Sequence, residues 1–221
     1  MSKKIKAIIF DMDGVLVDSQ RAHIKAERAA CEKYGLFVPM SEWRNFYGWK
    51  IEEIYAYLKK KYKMPNAPIE KMVDYKKKEF KKYYKETAII PGSKDFLRFC
   101  RKNFEKIALA TSTKRSMQKM IFGLFGLEKY FDKISTGDMA ERGKPSPDIY
   151  NLAIKKVELS PKECIVIEDA PNGIVAAKKA GCVALGITTS FSKRKLLAAK
   201  ADYVCKDFAE LKKYIEKNYL A

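Results

Sequence analysis

Residues 8–19, IIFDMDGVLVDS, decide how the fold of this chain is interpreted. An apolar run ends abruptly at Asp11, and a second acid, Asp13, follows two positions later, just before Gly14. An apolar run without polar alternation is typical of a strand buried on both faces, as in a parallel sheet. Because ligands of open parallel α/β sheets bind beyond the carboxyl ends of the strands, two acids at this position indicate a functional site.

The same alternation of apolar runs and helical patterns continues along most of the chain. The runs that predict strands are residues 4–10, 107–110, 164–167 and 183–187, with weaker candidates at 134–136 and 203–205. Helical periods fall at residues 94–101, 115–125, 147–157, 174–180 and 208–219. This order predicts an α/β fold, a Rossmann-like parallel sheet with helices on both faces.

One region interrupts the alternation. Residues 19–87 contain no convincing strand and instead show three or four amphipathic helical patterns, separated by glycines and prolines. A helical block inserted directly after the first strand is most simply a cap over the strand ends. We therefore predict a catalytic core formed by residues 1–18 and 88–221, with a small all-helical cap domain at 19–87.

Composition limits the possible partners and the compartment. The 221 residues carry a formal net charge of +18, but the lysines are spread along the whole chain, which favours a solvated surface over a specific nucleic-acid site. The same positive field would attract a small anionic substrate. No apolar stretch is long enough to span a bilayer, and the five scattered cysteines are typical of reduced cytosolic thiols. We predict a cytoplasmic protein with no membrane association and no obligate protein partner.

Polar residues follow several of the predicted strands and would meet at one edge of the sheet. Asp11 and Asp13 would lie there, together with residues of the stretches TSTKR (111–115), GKPSPD (143–148) and EDAPNG (168–173). Carboxylates, a lysine and hydroxyls suit phosphoryl transfer from a small molecule. A carboxylate can attack phosphorus, and Mg²⁺ with oxygen ligands relieves the repulsion between the two anions. Asp11 and Asp13 lie at alternate positions, so both can face one substrate.

These four motifs, DMDGVLVDS, LATSTKR, GKPSPD and IEDAPNG, resemble those of the haloacid dehalogenase superfamily, in the group of β-phosphoglucomutases and small-metabolite phosphatases. The motifs occur in the family's order from Asp11 to Gly173. The resemblance implies that Asp11 is the nucleophile and that Asp13 is the general acid and base. Members that cleave carbon–halogen bonds lack the second acid, so dehalogenation is disfavoured.

The resemblance also implies the remaining site residues. Thr111, Ser112 and Lys144 would bind the phosphate, with Ser112 acting through its backbone N–H. A Mg²⁺ ion would be held by the Asp11 carboxylate, the backbone carbonyl of Asp13 and Asp169, with Glu168 close by. The implied substrate is a small phosphorylated metabolite.

Two residues of the predicted cap bear on the choice between phosphatase and mutase. His23 stands where β-phosphoglucomutases have a histidine, and it is either a substrate contact or a histidine on an exposed helix face. Those mutases also use a cap arginine three residues after a glycine, but YGWKIEE has Ile51 there, with Lys50 beside it. We therefore predict a Mg²⁺-dependent phosphatase. A phosphosugar mutase is the alternative, and an inactive scaffold that binds a phosphorylated ligand is a third possibility.

Overall fold

Six parallel strands form the central sheet in the computed structural model, which describes residues 5–63 and 68–220. In chain order the elements are β1 (Ala7–Phe10), β2 (Val17–Asp18), α1 (Gln20–Lys33), α2 (Met40–Trp43), α3 (Ile51–Lys61), α4 (Ile69–Tyr83), β3 (Ala88–Ile89), α5 (Ser93–Asn103), β4 (Lys106–Ala110), α6 (Arg115–Phe125), β5 (Lys133–Ser135), α7 (Asp148–Val157), β6 (Cys164–Glu168), α8 (Pro171–Lys179), β7 (Val183–Ile187), α9 (Lys193–Ala198), β8 (Tyr203–Cys205) and α10 (Phe208–Ile215). The strand order is β5-β4-β1-β6-β7-β8, which places β1 at the centre. The predicted α/β fold is confirmed.

Side chains of β1 alternate between two apolar layers. Ile8 and Phe10 pack on the face covered by α5, α6 and α10, whereas Ala7 and Ile9 pack on the face covered by α7, α8 and α9. All four residues are fully buried, which explains why β1 has no polar alternation. The neighbouring strands β4 and β6 pair with β1 in parallel, so the three strands end at the same edge of the sheet.

Several boundaries differ from the prediction. Strand β1 begins at Ala7 rather than at residue 4, which lies outside the described residues, and β6 continues to Glu168. Helix α8 starts at Pro171 instead of residue 174, because proline is favoured at a first helical position, where its missing N–H costs nothing. Helix α10 ends at Ile215 and is followed by one π-helical turn, Glu216–Leu220.

The shortest elements were not predicted. Helix α9 has six residues, and the strands β2 and β3 have two each, too few to show a period in the sequence. Strands β2 and β3 pair antiparallel where the chain leaves the core and where it returns.

Helices α1 to α4 form the helical segment between β2 and β3. An apolar cluster of its own includes Trp43, Tyr55 and Leu58. Helices α1 and α4 also contribute Ala22 and Phe80 to the apolar layer of the sheet, so this segment is anchored against the core. The division into two domains at residues 18 and 88 stays a prediction.

Within residues 5–63 and 68–220, none of the helices has the length and apolar character that crossing a bilayer requires. All five cysteines are free and buried, as expected of reduced thiols. The cytoplasmic location stays a prediction.

Candidate active site

The predicted site residues meet at the carboxyl edge of the sheet. Asp11 follows β1, Thr111 follows β4, and Glu168 and Asp169 stand at the end of β6. Because β4, β1 and β6 are neighbours in the sheet, their ends bring these side chains into one cluster. Lys144 reaches the same cluster from the loop before α7.

Lys144 is the charge partner of the cluster. Its side chain is 1% exposed, and its Nζ lies 2.7 Å from Asp11 Oδ1 and 2.6 Å from Glu168 Oε1. Burial alone would lower the pKa of Lys144, but the two carboxylates raise it above the ordinary value. The ammonium is therefore charged and placed beside the predicted nucleophile.

Asp11, Glu168 and Asp169 form a buried acidic cluster that fits a divalent cation. One carboxylate oxygen of each residue lies within 4.8 Å of the other two. Burial, the Glu168 charge and the Asp11 charge together raise the pKa of Asp169 well above its ordinary value, and its Oδ2 accepts no hydrogen bond within the described part of the chain. Carboxylate oxygens are ligands that Mg²⁺ prefers, and Asp169 Oδ2 is left without a donor among the described residues. The backbone carbonyl of Asp13, the other implied ligand, stays a prediction.

Gly14 is required by this acidic cluster. Its φ of +84° is a left-handed conformation that favours glycine, and a Cβ there would lie 1.9 Å from Asp169 Oδ2. The backbone thus passes directly beside the unpartnered oxygen, which explains why glycine follows the second aspartate.

Asp13 is surrounded by hydrogen-bond donors. Its Oδ2 accepts from Thr113 Oγ1 at 2.7 Å and from Thr111 Oγ1 at 3.3 Å, while Oδ1 accepts from Ser19. The His23 Nε2 lies 3.4 Å from Oδ1. Burial by itself would raise the pKa of Asp13, but His23, Ser19 and Thr113 lower it to about 2. In this arrangement Asp13 is an ionised carboxylate.

His23 is buried rather than exposed, so the alternative of a histidine on an exposed helix face is wrong. The residue is 8% exposed, and its ring lies between Asp13 and a buried lysine of α4, Lys76, whose Nζ is 3.0 Å from His23 Nδ1. Lys76 in turn lies 3.6 Å from Oε1 of Glu27 on α1. A chain of polar groups thus runs from Asp13 into the helical segment.

Lys50 and Ser112 connect the helical segment to the core. Lys50 Nζ donates to the backbone carbonyls of Ala140 and Glu141, in the latter case at 3.0 Å. Ser112 Oγ donates to Gly48 O at 2.8 Å. The position of Lys50 differs from the expected substrate contact, because its ammonium is bound to core carbonyls. Its role as a substrate contact stays a prediction.

A cavity of about 70 Å³ lies between the strand ends and the helical segment. Its lining includes the acids Asp11, Asp13 and Asp169 of the core and the residues His23, Glu27 and Lys76 of the helical segment. Aromatic residues of the helical segment, Trp43, Phe46, Tyr47 and Trp49, complete the wall. Acidic groups, a buried lysine and aromatic rings thus line one cavity.

The sequence interpretation missed four residues of this site. Ser19 and Thr113 bind the Asp13 carboxylate, Lys76 contacts His23, and Tyr150 Oη donates to Glu168 Oε1 at 2.6 Å. Thr113 and Ser19 had a usable signal, because Thr113 lies in the second motif, two positions after Thr111, and Ser19 ends the first motif, six positions after Asp13. The contacts of Lys76 and Tyr150 depend on the tertiary structure and had no local signal.

Comparison with known proteins agrees with this geometry. The family model described as haloacid dehalogenase-like hydrolase matches residues 8–187. The chain is 34% identical over 197 residues to a phosphorylated carbohydrates phosphatase from Thermotoga maritima, a match that covers 87% of this chain and 90% of that protein.

Two crystal structures are similar over nearly their full length. One is a β-phosphoglucomutase from Clostridium difficile, with a TM-score of 0.86, 27% identity, and coverage of 98% of this chain and 97% of that one. The other is a CbbY mutant from Rhodobacter sphaeroides in complex with xylulose-(1,5)bisphosphate, with a TM-score of 0.83, 28% identity, and coverage of 94% and 96%. The protein therefore belongs to the haloacid dehalogenase-like hydrolase family and is, as its motifs predicted, a phosphoric monoester hydrolase of that family.

Proposed function

We propose that this protein is a Mg²⁺-dependent phosphatase that hydrolyses a small phosphorylated metabolite through an aspartyl-phosphate on Asp11. The observation that carries this proposal is the buried contact of 2.7 Å between Lys144 Nζ and Asp11 Oδ1, beside two further acids. The names of relatives support the substrate class, since they include phosphatases of phosphorylated carbohydrates and of fructose 1-phosphate.

Asp11 is the nucleophile in this proposal. Its free carboxylate oxygen attacks phosphorus, the bond to the leaving oxygen breaks, and a phosphoryl group remains on the carboxylate. Burial, the Glu168 charge and the Asp13 charge raise the pKa of Asp11 to about 7 against the opposing Lys144 charge. Lys144 therefore limits the rise in the pKa of the nucleophile that burial causes, and it offsets the charge of an incoming phosphate.

Asp13 moves the protons in both steps. It gives a proton to the leaving oxygen and later takes one from the water that hydrolyses the aspartyl-phosphate. The second step needs the ionised form of Asp13, and a pKa of about 2 keeps the carboxylate in that form. For the first step it must bind a proton, and this requires the substrate to displace some of its donors, such as Thr113 or Ser19.

The phosphate-binding role of the second motif is also part of the proposal. Thr111 Oγ1 accepts from the Thr113 backbone N–H at 3.0 Å, which orients its hydroxyl. The Ser112 hydroxyl donates a hydrogen bond to the Gly48 carbonyl oxygen, so Ser112 binds the phosphate through its backbone N–H. A Mg²⁺ ion held by Asp11, Asp169 and the Asp13 carbonyl, near Glu168, would neutralise the phosphate and polarise its oxygens.

The mutase alternative differs in the group that accepts the phosphoryl group. The likeness to β-phosphoglucomutase and the buried His23 favour it. The position of Lys50 disfavours it, because an ammonium bound to Ala140 and Glu141 carbonyls does not face the cavity that would hold a second phosphate. Hydrolysis remains the proposed reaction.

The decisive experiment is phosphate release from a panel of phosphorylated metabolites with Mg²⁺. The panel includes β-glucose 1-phosphate with a coupled readout for glucose 6-phosphate, and excess EDTA serves as the metal-free arm. Asp11→Asn should abolish turnover, whereas Asp18→Asn, an exposed acid on β2, should not. Glucose 6-phosphate formation with little free phosphate would identify a mutase, and substantial turnover by Asp11→Asn would refute the nucleophile. A protein that binds these compounds without turnover would be the inactive scaffold.

A further inference from the structure

Glu27 is a buried acid inside the cavity that the proposed reaction does not use. It lies on α1, is 8% exposed, and lines the same cavity as Asp11. Acidic side chains are seldom buried to this extent without a partner or a function. Its ion-pair partner is Lys76, whose Nζ lies 3.6 Å from Glu27 Oε1.

Lys76 is fully engaged by the protein. Its ammonium has three donors, and its Nζ lies 3.0 Å from His23 Nδ1, 3.7 Å from Met117 Sδ and 3.6 Å from Glu27 Oε1. The positive charge of Lys76 is therefore offset by the adjacent carboxylate. An anionic substrate group would meet a neutral ion pair here, with no spare donor.

The other lysine among the described residues that line the cavity is also paired. Lys114 Nζ lies 2.5 Å from Glu52 Oε1 on α3. Lys50, at the start of α3, is bound to backbone carbonyls of the core. Three lysines near the cavity are thus each held by acceptors of the chain itself.

From this arrangement we infer that Glu27 is a specificity-determining residue, which restricts the site to substrates with one phosphate and an uncharged organic part. The inference rests on the proposed phosphatase function and names the substrate class of that same site. The transferred phosphate occupies the end with Lys144, and the organic part extends toward Glu27 and the aromatic wall. A second phosphate on that part would approach the Glu27 carboxylate.

The physical reason is desolvation without a compensating cation. Glu27 offsets the Lys76 charge and can accept a hydrogen bond from a hydroxyl of the organic part, but the pair offers a second phosphate neither a net positive charge nor a free donor. A phosphate that leaves water for this position therefore loses its hydration without gaining a partner. Glu27 therefore discriminates against bisphosphates.

The test uses inhibition, so it does not require either probe to be a substrate. Fructose 6-phosphate and fructose 1,6-bisphosphate are measured as competitive inhibitors of the hydrolysis of whichever phosphomonoester the panel identifies. For Glu27→Gln we expect the ratio of the two inhibition constants, bisphosphate over monophosphate, to fall at least about tenfold. Glu32→Gln, an exposed acid on the same helix paired with Arg28 at 3.2 Å, should leave the ratio unchanged.

A second variant separates the charge effect from a folding defect. Glu27→Gln combined with Lys76→Gln removes both buried charges together and leaves no free cation, so its ratio should stay near that of wild type. Thermal unfolding verifies that each variant is folded. A ratio within about twofold of wild type in folded Glu27→Gln, or an equal fall in the double variant, would overturn the inference. Absence of phosphate release from every compound by the wild-type protein would instead overturn the proposed phosphatase function.

Discussion

Lys144 Nζ lies 2.7 Å from Asp11 Oδ1, although the two residues are 133 positions apart in the chain. The same ammonium lies 2.6 Å from Glu168 Oε1, so one buried cation connects the ends of two adjacent strands. This relationship ties the stability of the strand edge to the charge state of the proposed nucleophile.

Replacing Lys144 by methionine should therefore impair both activity and stability. Loss of the ammonium leaves Asp11 and Glu168 without their cation, and we expect turnover to fall roughly 100- to 1,000-fold. The free energy of unfolding of the metal-free protein should fall by about 3 kcal/mol, because buried charges are left uncompensated. Lys155→Met, at an exposed position of α7, is the matched control. Turnover near that of the control would remove Lys144 from the site.

Mg²⁺ should stabilise the folded protein through the acidic cluster. A ligand at a hundredfold excess over its Kd adds about 2.7 kcal/mol of stability, which corresponds to several degrees in Tm for a chain of this size. Asp169→Asn should reduce this rise, because the unpartnered Oδ2 is replaced or turned away. Differential scanning calorimetry with and without Mg²⁺ measures the effect, and Asp74→Asn, an exposed acid on α4, is the control. Equal rises in wild type and Asp169→Asn would contradict the predicted metal site.

The stability of the metal-free protein should depend on the pH through Asp11. Its pKa is raised from 3.8 to about 7, chiefly by burial, so the folded state binds more protons than the unfolded state between these values. Stability contributed by this group is therefore lost as the pH rises from about 4 to 7. Urea unfolding in EDTA across this range should show a smaller decrease for Asp11→Asn than for wild type. An identical pH dependence of the two proteins would contradict the raised pKa.

The contribution of Asp13 to the pH dependence of stability has the opposite sign. Its pKa is lowered to about 2 by His23, Ser19 and Thr113 against the effect of burial, so its contribution is lost only as the pH falls below 3.8. The two windows do not overlap, which allows the Asp11 effect to be measured separately above pH 4.

Gly14→Ala should disrupt the acidic cluster. Its new Cβ would lie 1.9 Å from Asp169 Oδ2, and the left-handed backbone adds about 1 kcal/mol of strain. Gly126→Ala is a close control, because Gly126 has a φ of +64° but no atom within 4 Å of the new Cβ. We expect the strain to destabilise both variants by similar amounts. Only Gly14→Ala should also lose the Mg²⁺-dependent rise in Tm. Equal Mg²⁺ responses in the two variants would mean that Asp169 is not the affected group.

Lys50→Met should weaken the contact between α3 and the core without removing a substrate contact. The lost hydrogen bonds to Ala140 and Glu141 are partly exposed, so we expect kcat/KM to fall by less than about tenfold, mainly through KM. Lys60→Met, an exposed residue of the same helix, controls for the loss of charge. A fall of more than about a hundredfold would indicate that Lys50 binds the substrate directly.

The sequence by itself determined the architecture and the reactive groups of this protein. Strand β1 is a continuous apolar run that must be buried on both faces, and this requirement alone predicts a parallel sheet with a site at its edge. Asp11, Lys144 and Asp169 could be assigned because each belongs to a short local motif. Local patterns have fixed spacing, so they are readable without coordinates.

Only the tertiary structure decided which partners these groups have. The Asp13 carboxylate meets Thr113 across 100 positions, and His23 meets Lys76 across 53. Lys50 is one residue from the expected cap position, yet its ammonium is bound to core carbonyls 90 positions away. In the sequence pattern, Glu27 is one acid of an amphipathic helix. Its burial in the cavity follows from how α1 packs against α4, because such long-range contacts depend on the whole fold and leave no local spacing in the sequence.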